Sequence, residues 1–542
     1  MSAFDPAVVT ADEAALAIPD GATVALTGSG GGILEADVVF AAIEKRFLGT
    51  GSPRELTIVH GLGIGDGETT GLTRFAHKGL VSCVIGGHWS WSPRMQKLAA
   101  TGSIEAYSLP AGVIAALLRE SGAHRPGLFT KVGIGTFVDP RLQGGRLNDR
   151  STRELVTVTT IDGVEYLHYK ALSVDVAIVR GSSVDDRGNL SFEREAAALD
   201  SLAVASAAKG NGGRVIAQAR ERLAAGVQDP RIVSVPGFLV DTVVLAPTQW
   251  QSYLAEFEPA LVGGTPHAVR VHRDEDGVVG MRDVVARRAA REVPDGAVLN
   301  VGFGMSAGVV EALSREGRLD RVKIAIEQGP AGGEPENGTL FGLSRHPGAV
   351  IPSTSMFDVF ATGVIDVAVL GMAECDADGN VNVSKVGGSV VGPGGFIDIA
   401  TAAKKIVFTG TFTARGLRAH GEHGRLVVTQ EGTVPKFVQD VSHVTFCARR
   451  ARERGQQVVY VTERAVFELG NDGLELIELA PGVDLQRDVL DHMAAAPRTD
   501  RVGEIPPAIL TADAPHPGAT DGVPTDGVPT DADRLHNVIR HL

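Results

Sequence analysis

IPDGATVALTGSGGGILEADVV, which begins at Ile18, and VPDGAVLNVGFGMSAGVVEALS, which begins at Val293, are two copies of one pattern in this 542-residue chain. Each copy has a Pro-Asp-Gly turn, a short apolar strand, a glycine-rich loop and a helix with an apolar period. The copies lie 275 residues apart, with Asp20 matching Asp295. A strand-loop-helix pattern that occurs in each half of the chain predicts two related α/β domains.

A second repeated pair lies downstream of the first in each half. VDVAIVRGSSVDDRGNLSF from Val174 matches IDVAVLGMAECDADGNVNV from Ile365, so that Asp175 corresponds to Asp366, 191 residues later. This offset is 84 residues shorter than the first one. The first half therefore carries extra residues, which we expect to include the stretch around 86–170.

Apolar runs rich in β-branched residues alternate with helical patterns along both halves, which is typical of largely parallel sheets. The predicted strands are Leu56 to His60, Val81 to Gly86, Val215 to Gln218, Lys405 to Phe408, Leu426 to Val428 and Val458 to Val461. The predicted helices are Glu35 to Leu48, Gly112 to Ser121, Arg194 to Lys209, Arg282 to Glu292 and Met305 to Glu316.

The predicted domain organisation has four parts. An N-terminal α/β domain (1–255) is followed by a polar linker (256–280), a C-terminal α/β domain (281–510) and a tail (511–542). The tail contains the repeat TDGVPTDGVPTD, which offers too little apolar surface to form a core. We expect the tail to be disordered.

Composition excludes several function classes. The net charge of −14 disfavours a duplex nucleic-acid binder, which needs a dense footprint of Lys and Arg. The three cysteines have no disulfide-like or metal-binding spacing, and the scattered histidines predict no metal site. No apolar run approaches a membrane span, and the acidic N-terminus is unlike a signal peptide. We expect a cytoplasmic protein with neither a nucleic-acid nor a membrane partner.

The stretch IAIEQGPAGG, Ile324 to Gly333, ends a strand on the carboxylate of Glu327 and then turns. One interpretation is a solvated acid at a strand end, since the Gly-Pro-x-Gly-Gly turn requires no more than a tight reversal. The other is a nucleophile, because Gly329 and the glycines that follow leave the backbone accessible to a bulky ligand. The local pattern leaves both interpretations open.

Two further glycine loops could approach a ligand. TGSGGG, with Gly28, Gly30 and Gly31, follows a strand and opens a helix, so it is either an anion-binding loop or a tight turn. It lacks the complete dinucleotide fingerprint and a Walker-type lysine. GGSVVGPGGFIDIA, with Gly394 and Gly395, either brings amides close to a reacting carbonyl or forms a turn before the next strand.

His88 lies in the cluster GGHWSW, directly after a predicted strand. Core packing or a pocket wall accounts for it more simply than catalysis, so His88 is a minor candidate. No convincing Gly-x-Ser-x-Gly nucleophile elbow occurs, which removes the serine-hydrolase class.

Several longer segments resemble one known family. In the second half these are IEQGPAGG, AECDADGNVNVSKVGG from Ala373, VVGPGGFIDIATAAKKIVFTGTFTARGL from Val390 and YVTERAVFELGNDGLELIELAPGVDL from Tyr460. In the first half, RFAHKGLVSCVIGGHWSWSPRMQKLA from Arg74 and KVGIGTFVDPRLQGGRLN from Lys131 fit the same family. Together they resemble the acetate/propionate CoA-transferases, which are family I acyl-CoA:carboxylate CoA-transferases, over roughly residues 5–510.

The resemblance implies a fold and a set of site residues. It implies two open, mostly parallel α/β domains fused in one chain, with the active site in the cleft between them. It implies that Glu327 is the nucleophile and that Gly395, beside Gly394, supplies an amide to the thioester oxyanion. The residues expected to contact substrate are Gly28, Gly30, Gly31, Gly329, Gly392 and His88.

The expected function is reversible transfer of coenzyme A from an acyl-CoA to a short-chain carboxylate such as acetate or propionate, with ping-pong kinetics. Coenzyme A is then a substrate, no cofactor or metal is needed, and a homodimer or homotetramer is expected. One alternative is an acyl-CoA hydrolase that uses the same glutamyl intermediate. The other is a ligand sensor on a related fold. Gln328 departs from the small residue expected after the nucleophile, which weakens the prediction of the acyl substrate.

Overall fold

The computed structural model describes residues 6–264 and 278–512. Contacts within the chain divide these residues into two compact units, and each is described by itself below. The first comprises 6–264, Ile324–Val364 and Ser384–Ala402, and the second comprises 278–323, Ile365–Val383 and 403–512. The predicted domain boundaries at 255, 280 and 510 stay a prediction, and most of the predicted tail and part of the predicted linker lie outside the described residues.

The division by contacts assigns two segments of the second half to the first unit. One of them carries Glu327, and the other carries Gly394 and Gly395. The residues of the candidate site therefore lie together in the first unit.

The strands, numbered in chain order, fall into an N-terminal and a C-terminal series. The first series is β1 Ala7–Val9, β2 Thr23–Leu26, β3 Leu56–His60, β4 Val81–Gly86, β5 Glu105–Ser108, β6 Gly127–Thr130, β7 Val156–Ile161, β8 Val164–Lys170, β9 Val176–Asp185, β10 Leu190–Ser191, β11 Arg214–Leu223, β12 Val233–Val235 and β13 Thr242–Leu245. The second series is β14 Val279–Gly280, β15 Val298–Val301, β16 Lys323–Ile324, β17 Pro330–Ala331, β18 Glu334–Pro335, β19 Ser344–Arg345, β20 Ala349–Val350, β21 Val367–Gly371, β22 Glu374–Asp376, β23 Val381–Asn382, β24 Lys385–Val386, β25 Ser389–Val390, β26 Lys405–Thr409, β27 Thr413–Ala414, β28 Arg418–Glu422, β29 Arg425–Gln430, β30 Val434–Pro435, β31 Phe437–Val438, β32 Gln457–Val461, β33 Ala465–Gly470, β34 Gly473–Leu479 and β35 Gly503–Glu504.

The α-helices, also numbered in chain order, alternate with these strands. They are α1 Ala11–Leu16, α2 Asp37–Thr50, α3 Pro93–Ala100, α4 Ala111–Gly122, α5 Ser201–Gly210, α6 Met281–Ala290, α7 Gly308–Arg315, α8 Ser353–Ala361, α9 Phe396–Ala402 and α10 Ala448–Glu453. No helix in the described ranges is long and apolar enough to cross a membrane.

The main sheet of the first unit has the order β1-β13-β11-β9-β2-β3-β4-β5, and each neighbouring pair is parallel. Its core contains fully buried strand residues such as Val24, Ile58 and Val84. The sheet of the second unit includes, in order, β15-β21-β26-β32-β33-β34-β35, with parallel pairing from β15 to β32. These two sheets confirm the predicted α/β class.

The internal repeat corresponds to matching hydrogen bonds in the two units. In the first unit the Thr23 amide donates to Oδ2 of Asp175 (2.8 Å). In the second unit the Val298 amide donates to Oδ2 of Asp366 (2.9 Å). Asp175 directly precedes β9 and accepts from the first residue of the neighbouring β2, and Asp366 directly precedes β21 and accepts from the first residue of the neighbouring β15. The two matching aspartates therefore serve the same structural role.

Two predicted elements are only partly confirmed. The helix predicted from Arg194 begins at Ser201, because the Arg194 amide donates instead to Oγ of Ser182 (2.9 Å) and Leu199 has a left-handed backbone (φ 48°). The stretch predicted as a buried strand at 426–428 belongs to β29, which pairs antiparallel with β28 outside the main sheet. Its alternate residues are exposed, so it is an edge hairpin rather than a buried parallel strand.

Asp366→Ala should lower the stability of the protein in a pH-dependent way. Hydrogen bonds from Lys404 and from the Val298 amide hold the pKa of Asp366 below its usual value of 3.8. A depressed folded-state pKa adds stability above the unfolded pKa, and this contribution disappears as the pH falls through the folded value. Urea unfolding should show a loss of roughly 1 kcal/mol at pH 7 that shrinks below about pH 4. The control is Asp500→Ala at an exposed position, and an equal, pH-independent loss in both variants would contradict the expectation.

Candidate active site

Glu327 lies at the tip of a tight turn rather than along a strand. The Gly329 amide donates to the carbonyl of Ile326 (2.9 Å), and the Ile326 amide donates to the carbonyl of Pro330 (3.0 Å). These bonds place Glu327 at the first central position of the turn. The residue is 7% exposed, so the interpretation of a fully solvated acid is wrong.

Gly329 is required by the geometry of this turn. Its φ of 124° disfavours any residue with a side chain, and a Cβ there would lie 2.0 Å from the carbonyl oxygen of Ile351. The Ile351 amide donates to the Gly329 carbonyl (3.1 Å), which fastens the turn to the adjacent chain. A glycine after Glu327-Gln328 therefore lets the turn pack against its neighbour.

The loop Gly392-Pro393-Gly394-Gly395, called here the GPGG loop, brings backbone close to Glu327. A Cβ placed on Gly395 would lie 3.4 Å from Cγ of Glu327 and 3.2 Å from the ring of Phe357. The predicted neighbourhood of Glu327 and Gly395 is therefore present in the structure. The alternative of a turn before a strand is wrong, because helix α9 follows the loop.

The amides of Gly394 and Gly395 have different surroundings. The Gly394 amide donates to the carbonyl of Gly87 (2.9 Å), and the Gly394 carbonyl accepts from the Ala111 amide (2.8 Å). The Gly395 amide donates no hydrogen bond within the described residues. Of the two predicted glycines, Gly395 is thus the one whose N–H can serve a ligand.

Gly392 and His88 belong to the same packed region. A Cβ on Gly392 would lie 2.4 Å from the Gly87 carbonyl oxygen, and the neighbouring Val391 carbonyl accepts from the Trp89 amide (2.8 Å). A Cβ on Gly394 would lie 3.7 Å from Cδ2 of His88. Burial, and secondarily the nearby His60, lowers the pKa of His88 to about 4. His88 is therefore neutral near pH 7 and forms part of the wall against which the GPGG loop packs.

The TGSGGG loop packs against other groups. Its first glycine, Gly28, faces Glu35 and Ile64, Gly30 faces the indole of Trp91, and Gly31 faces the Thr339 carbonyl. Cβ atoms on Gly30 and Gly31 would each lie 2.1 Å from those neighbours. Close packing thus explains these two glycines, and a substrate-binding role for Gly28, Gly30 and Gly31 stays a prediction.

Trp91 connects the TGSGGG loop to the region of His88. A Cβ on Gly63 would lie 2.4 Å from Cδ1 of Trp91 and 2.6 Å from Nδ1 of His88. The indole of Trp91 therefore packs against both Gly30 and Gly63, and Gly63 also lies next to His88.

Two residues near Glu327 escaped the sequence analysis. Phe357 of α8 contacts the position of Gly395, and Asp398 of α9 accepts a hydrogen bond from the Gly112 amide (3.1 Å). Burial raises the pKa of Asp398 to about 8, and the charge of Glu327 contributes to the increase. The sequence signal that could have pointed to Asp398 is a single acid in the otherwise apolar helix FIDIATA, since charged residues are rarely buried unless they are paired.

Gln328, which follows the candidate nucleophile, is also buried. It is 4% exposed, and its carboxamide fills the space beside Gly342, where a Cβ would lie 2.3 Å from Cδ of Gln328. Its Oε1 accepts no hydrogen bond within the described part of the chain. The larger residue is thus accommodated by a glycine on the neighbouring loop.

Comparison with known proteins identifies the family. A family model described as coenzyme A transferase matches residues 8–246. "Acetate CoA-transferase YdiF" of Escherichia coli (strain K12) is 42% identical over 498 residues, which cover 90% of this chain and 92% of that protein. This chain belongs to the coenzyme A transferase family. The resemblance drawn from the sequence is confirmed.

Other CoA-transferases are similar over most of their length. "Caffeate CoA-transferase" of Acetobacterium woodii is 41% identical, covering 90% of this chain and 94% of that protein. The crystal structure of the acyl-CoA transferase YdiF from Escherichia coli O157:H7, as a thioester complex with CoA, has a TM-score of 0.88 and 40% identity, covering 94% of this chain and 96% of that one. The protein is therefore an enzyme that transfers coenzyme A, and the hydrolase alternative is not favoured.

Gly395→Ala should slow the CoA-transferase without unfolding it. The added methyl group would press on Glu327 and Phe357 at distances that require shifts of a few tenths of an ångström. A small displacement of reacting groups can cost roughly a hundredfold in rate, so we expect kcat to fall at least about tenfold. Steady-state kinetics and thermal unfolding would measure both effects.

Gly49→Ala provides the matched control, because a Cβ there meets nothing within 4 Å. This variant should keep the wild-type kcat. A wild-type kcat for Gly395→Ala would contradict the expectation that the close contact of Gly395 with Glu327 and Phe357 matters for turnover.

Proposed function

We propose that this CoA-transferase moves coenzyme A between short-chain carboxylates through a covalent intermediate on Glu327. The observation that carries the proposal is the approach of Gly395 to Cγ of Glu327 on a tight, glycine-supported turn. A carboxylate and a glycine whose amide donates no hydrogen bond within the described residues thus lie side by side, which suits a nucleophile and an oxyanion donor. The roles of individual residues are part of this proposal.

The first half-reaction converts an acyl-CoA into a glutamyl thioester. A carboxylate oxygen of Glu327 attacks the thioester carbonyl and the C–S bond breaks. CoA departs as a thiolate, and a mixed anhydride between Glu327 and the acyl group remains. The thiolate then attacks the glutamyl carbonyl carbon and breaks its C–O bond, which releases the first acid as a carboxylate. No net proton transfer occurs, so the site needs no general acid.

The second half-reaction is the reverse, with another acid. The acceptor carboxylate attacks the glutamyl thioester and expels the thiolate, which then attacks the acceptor carbonyl of the new anhydride. Glu327 returns as a carboxylate and the new acyl-CoA leaves. Because one thioester replaces another, the enzyme must mainly align the reactants and keep water from the anhydride.

The Gly395 amide fits the role of oxyanion donor in both halves. The tetrahedral intermediates formed on the acyl or glutamyl carbonyl carry negative charge on oxygen, and a fixed N–H lowers their energy. Removing one such donor typically costs about 10²–10³ in kcat. The hydrogen bond from Gly394 to Gly87 holds the preceding peptide and leaves the next N–H for the substrate.

We propose acetate, propionate and similar short acids as the exchanged carboxylates. The name of the YdiF relative, acetate CoA-transferase, supports this choice, whereas the name of the A. woodii relative shows that a protein of equal similarity acts on caffeate. A panel of acyl-CoAs and acids from acetate to caffeate would therefore define the substrate range. Coenzyme A is a substrate in this scheme, and the homodimer or homotetramer remains a prediction.

Glu327→Ala and Glu327→Gln should each abolish transfer, because neither side chain can form the anhydride. The assay supplies acetyl-CoA or propionyl-CoA with a second acid and follows the new acyl-CoA by chromatography. Wild-type protein should give parallel double-reciprocal plots, as expected for a ping-pong reaction.

Glu334→Ala is the control on the same stretch, seven residues after Glu327, and it should retain activity. Turnover by either Glu327 variant would contradict the assignment of the nucleophile. Loss of thioester without a new acyl-CoA in the wild type would instead indicate hydrolysis.

A further inference from the structure

Asp398 is a buried acid three residues after Gly395, in the first turn of α9. The proposed reaction uses one carboxylate, Glu327, and gives Asp398 no chemical step. Asp398 forms no ion pair with a basic side chain in the described ranges, although burying an unpaired carboxyl group is costly. Its position therefore calls for an explanation.

The carboxylate of Asp398 faces the N-terminus of helix α4. Its Oδ2 accepts a hydrogen bond from the Gly112 amide at 3.1 Å. Helix α4 begins at Ala111 after Pro110, which provides no side-chain cap. The first amides of a helix lack partners within the helix and carry partial positive charge, so Asp398 supplies the missing acceptor.

Glycine at position 112 makes this contact possible. A Cβ there would lie 2.7 Å from Oδ1 of Asp398 and 2.6 Å from the ring of Phe357. Any larger residue would push the carboxylate or the ring away from the start of α4. Phe357 is the same ring that lies 3.2 Å from the Cβ position of Gly395.

The preceding amide of α4 holds the GPGG loop. The Ala111 amide donates to the carbonyl of Gly394 at 2.8 Å. Two consecutive amides of α4 thus hold acceptors on both sides of Gly395, one at Gly394 and one at Asp398. The Gly394 carbonyl belongs to the same peptide as the Gly395 N–H, and the Cβ position of Gly395 lies 3.4 Å from Cγ of Glu327.

We propose that Asp398 is a positioning residue, which fixes the Gly395 amide beside Glu327 by holding α9 on the N-terminus of α4. The inference rests on the proposed role of Glu327. It predicts that the hydrogen-bond acceptor at position 398 matters for turnover and that the negative charge does not.

The test compares Asp398→Leu with Asp398→Asn. Leucine has the same branched arrangement of side-chain heavy atoms, with larger methyl groups in place of the oxygens, and accepts no hydrogen bond, whereas asparagine is isosteric with aspartate and its amide oxygen can still accept from Gly112. We expect Asp398→Leu to lower kcat at least about tenfold, as a misplaced catalytic group does, with KM for the acyl-CoA close to the wild-type value. Asp398→Asn should restore most of kcat, and mass spectrometry should show the same order in the rate of glutamyl-CoA formation.

Asp185 provides a matched buried carboxylate in the same unit. It is 6% exposed, and its Oδ1 accepts from the amides of Arg187 and Asn189, both at 2.9 Å. Asp185→Leu should lower the unfolding temperature but leave kcat unchanged. Comparing Asp185→Leu with Asp398→Leu therefore separates a general loss of stability from a displacement of Gly395.

Three results would overturn the inference. They are a wild-type kcat for Asp398→Leu, an equal loss of kcat in Asp185→Leu, and a loss in Asp398→Asn as large as in Asp398→Leu. If Asp398→Leu does not fold, a loss of kcat of about tenfold or more in Asp398→Asn overturns the inference by itself, because this variant is predicted to keep most of the wild-type kcat. Failure of the wild type to form any adduct on Glu327 would contradict the proposed function instead.

Discussion

The backbone hydrogen bonds of Gly394 are the contact on which the candidate site depends. Its amide donates to the Gly87 carbonyl at the end of β4, and its carbonyl accepts from the Ala111 amide at the start of α4. The residue after β4 and the first residue of α4 thus provide two fixed points for the GPGG loop, which is distant from both in sequence. Because both bonds involve backbone atoms, they fix the backbone of Gly394 and with it the adjoining Gly395, whose Cβ position lies 3.4 Å from Cγ of Glu327.

Glycine residues, which have no side chain, allow the segments of the candidate site to approach each other closely. At Gly329, Gly392 and Gly112, a Cβ would lie 2.0 to 2.7 Å from a neighbouring atom, which real contacts do not allow. Glycine costs conformational entropy on folding, so each such position must be offset by packing or by function. Here the glycines let the turn of Glu327, the GPGG loop and the start of α4 pack closely against neighbouring backbone and side-chain atoms.

Much of the fold could be predicted from the sequence, because the repeated strand-loop-helix pattern and the apolar strands are local signals. Strands Leu56–His60 and Val81–Gly86 have the predicted bounds. Residues 194–200 were wrongly predicted to be helical, since a hydrogen bond from the Arg194 amide to the side-chain Oγ of Ser182 replaces the helix that the local pattern favours. Glycine motifs marked Glu327 and the GPGG loop as candidates and only the family resemblance implied their roles, whereas Asp398 depends on a helix start 286 residues away, which no local pattern shows.

The covalent mechanism requires Glu327 to exchange an oxygen atom with the carboxylate substrates. The direct measurement is turnover with an acceptor acid labelled with oxygen-18 in its carboxylate, followed by mass spectrometry of the peptide that contains Glu327. The anhydride mechanism transfers one oxygen of the acceptor to the glutamate when the thiolate attacks the acceptor carbonyl, so the account predicts label in Glu327 and then in the released acid. Active enzyme whose Glu327 acquires no label from the acceptor would contradict it.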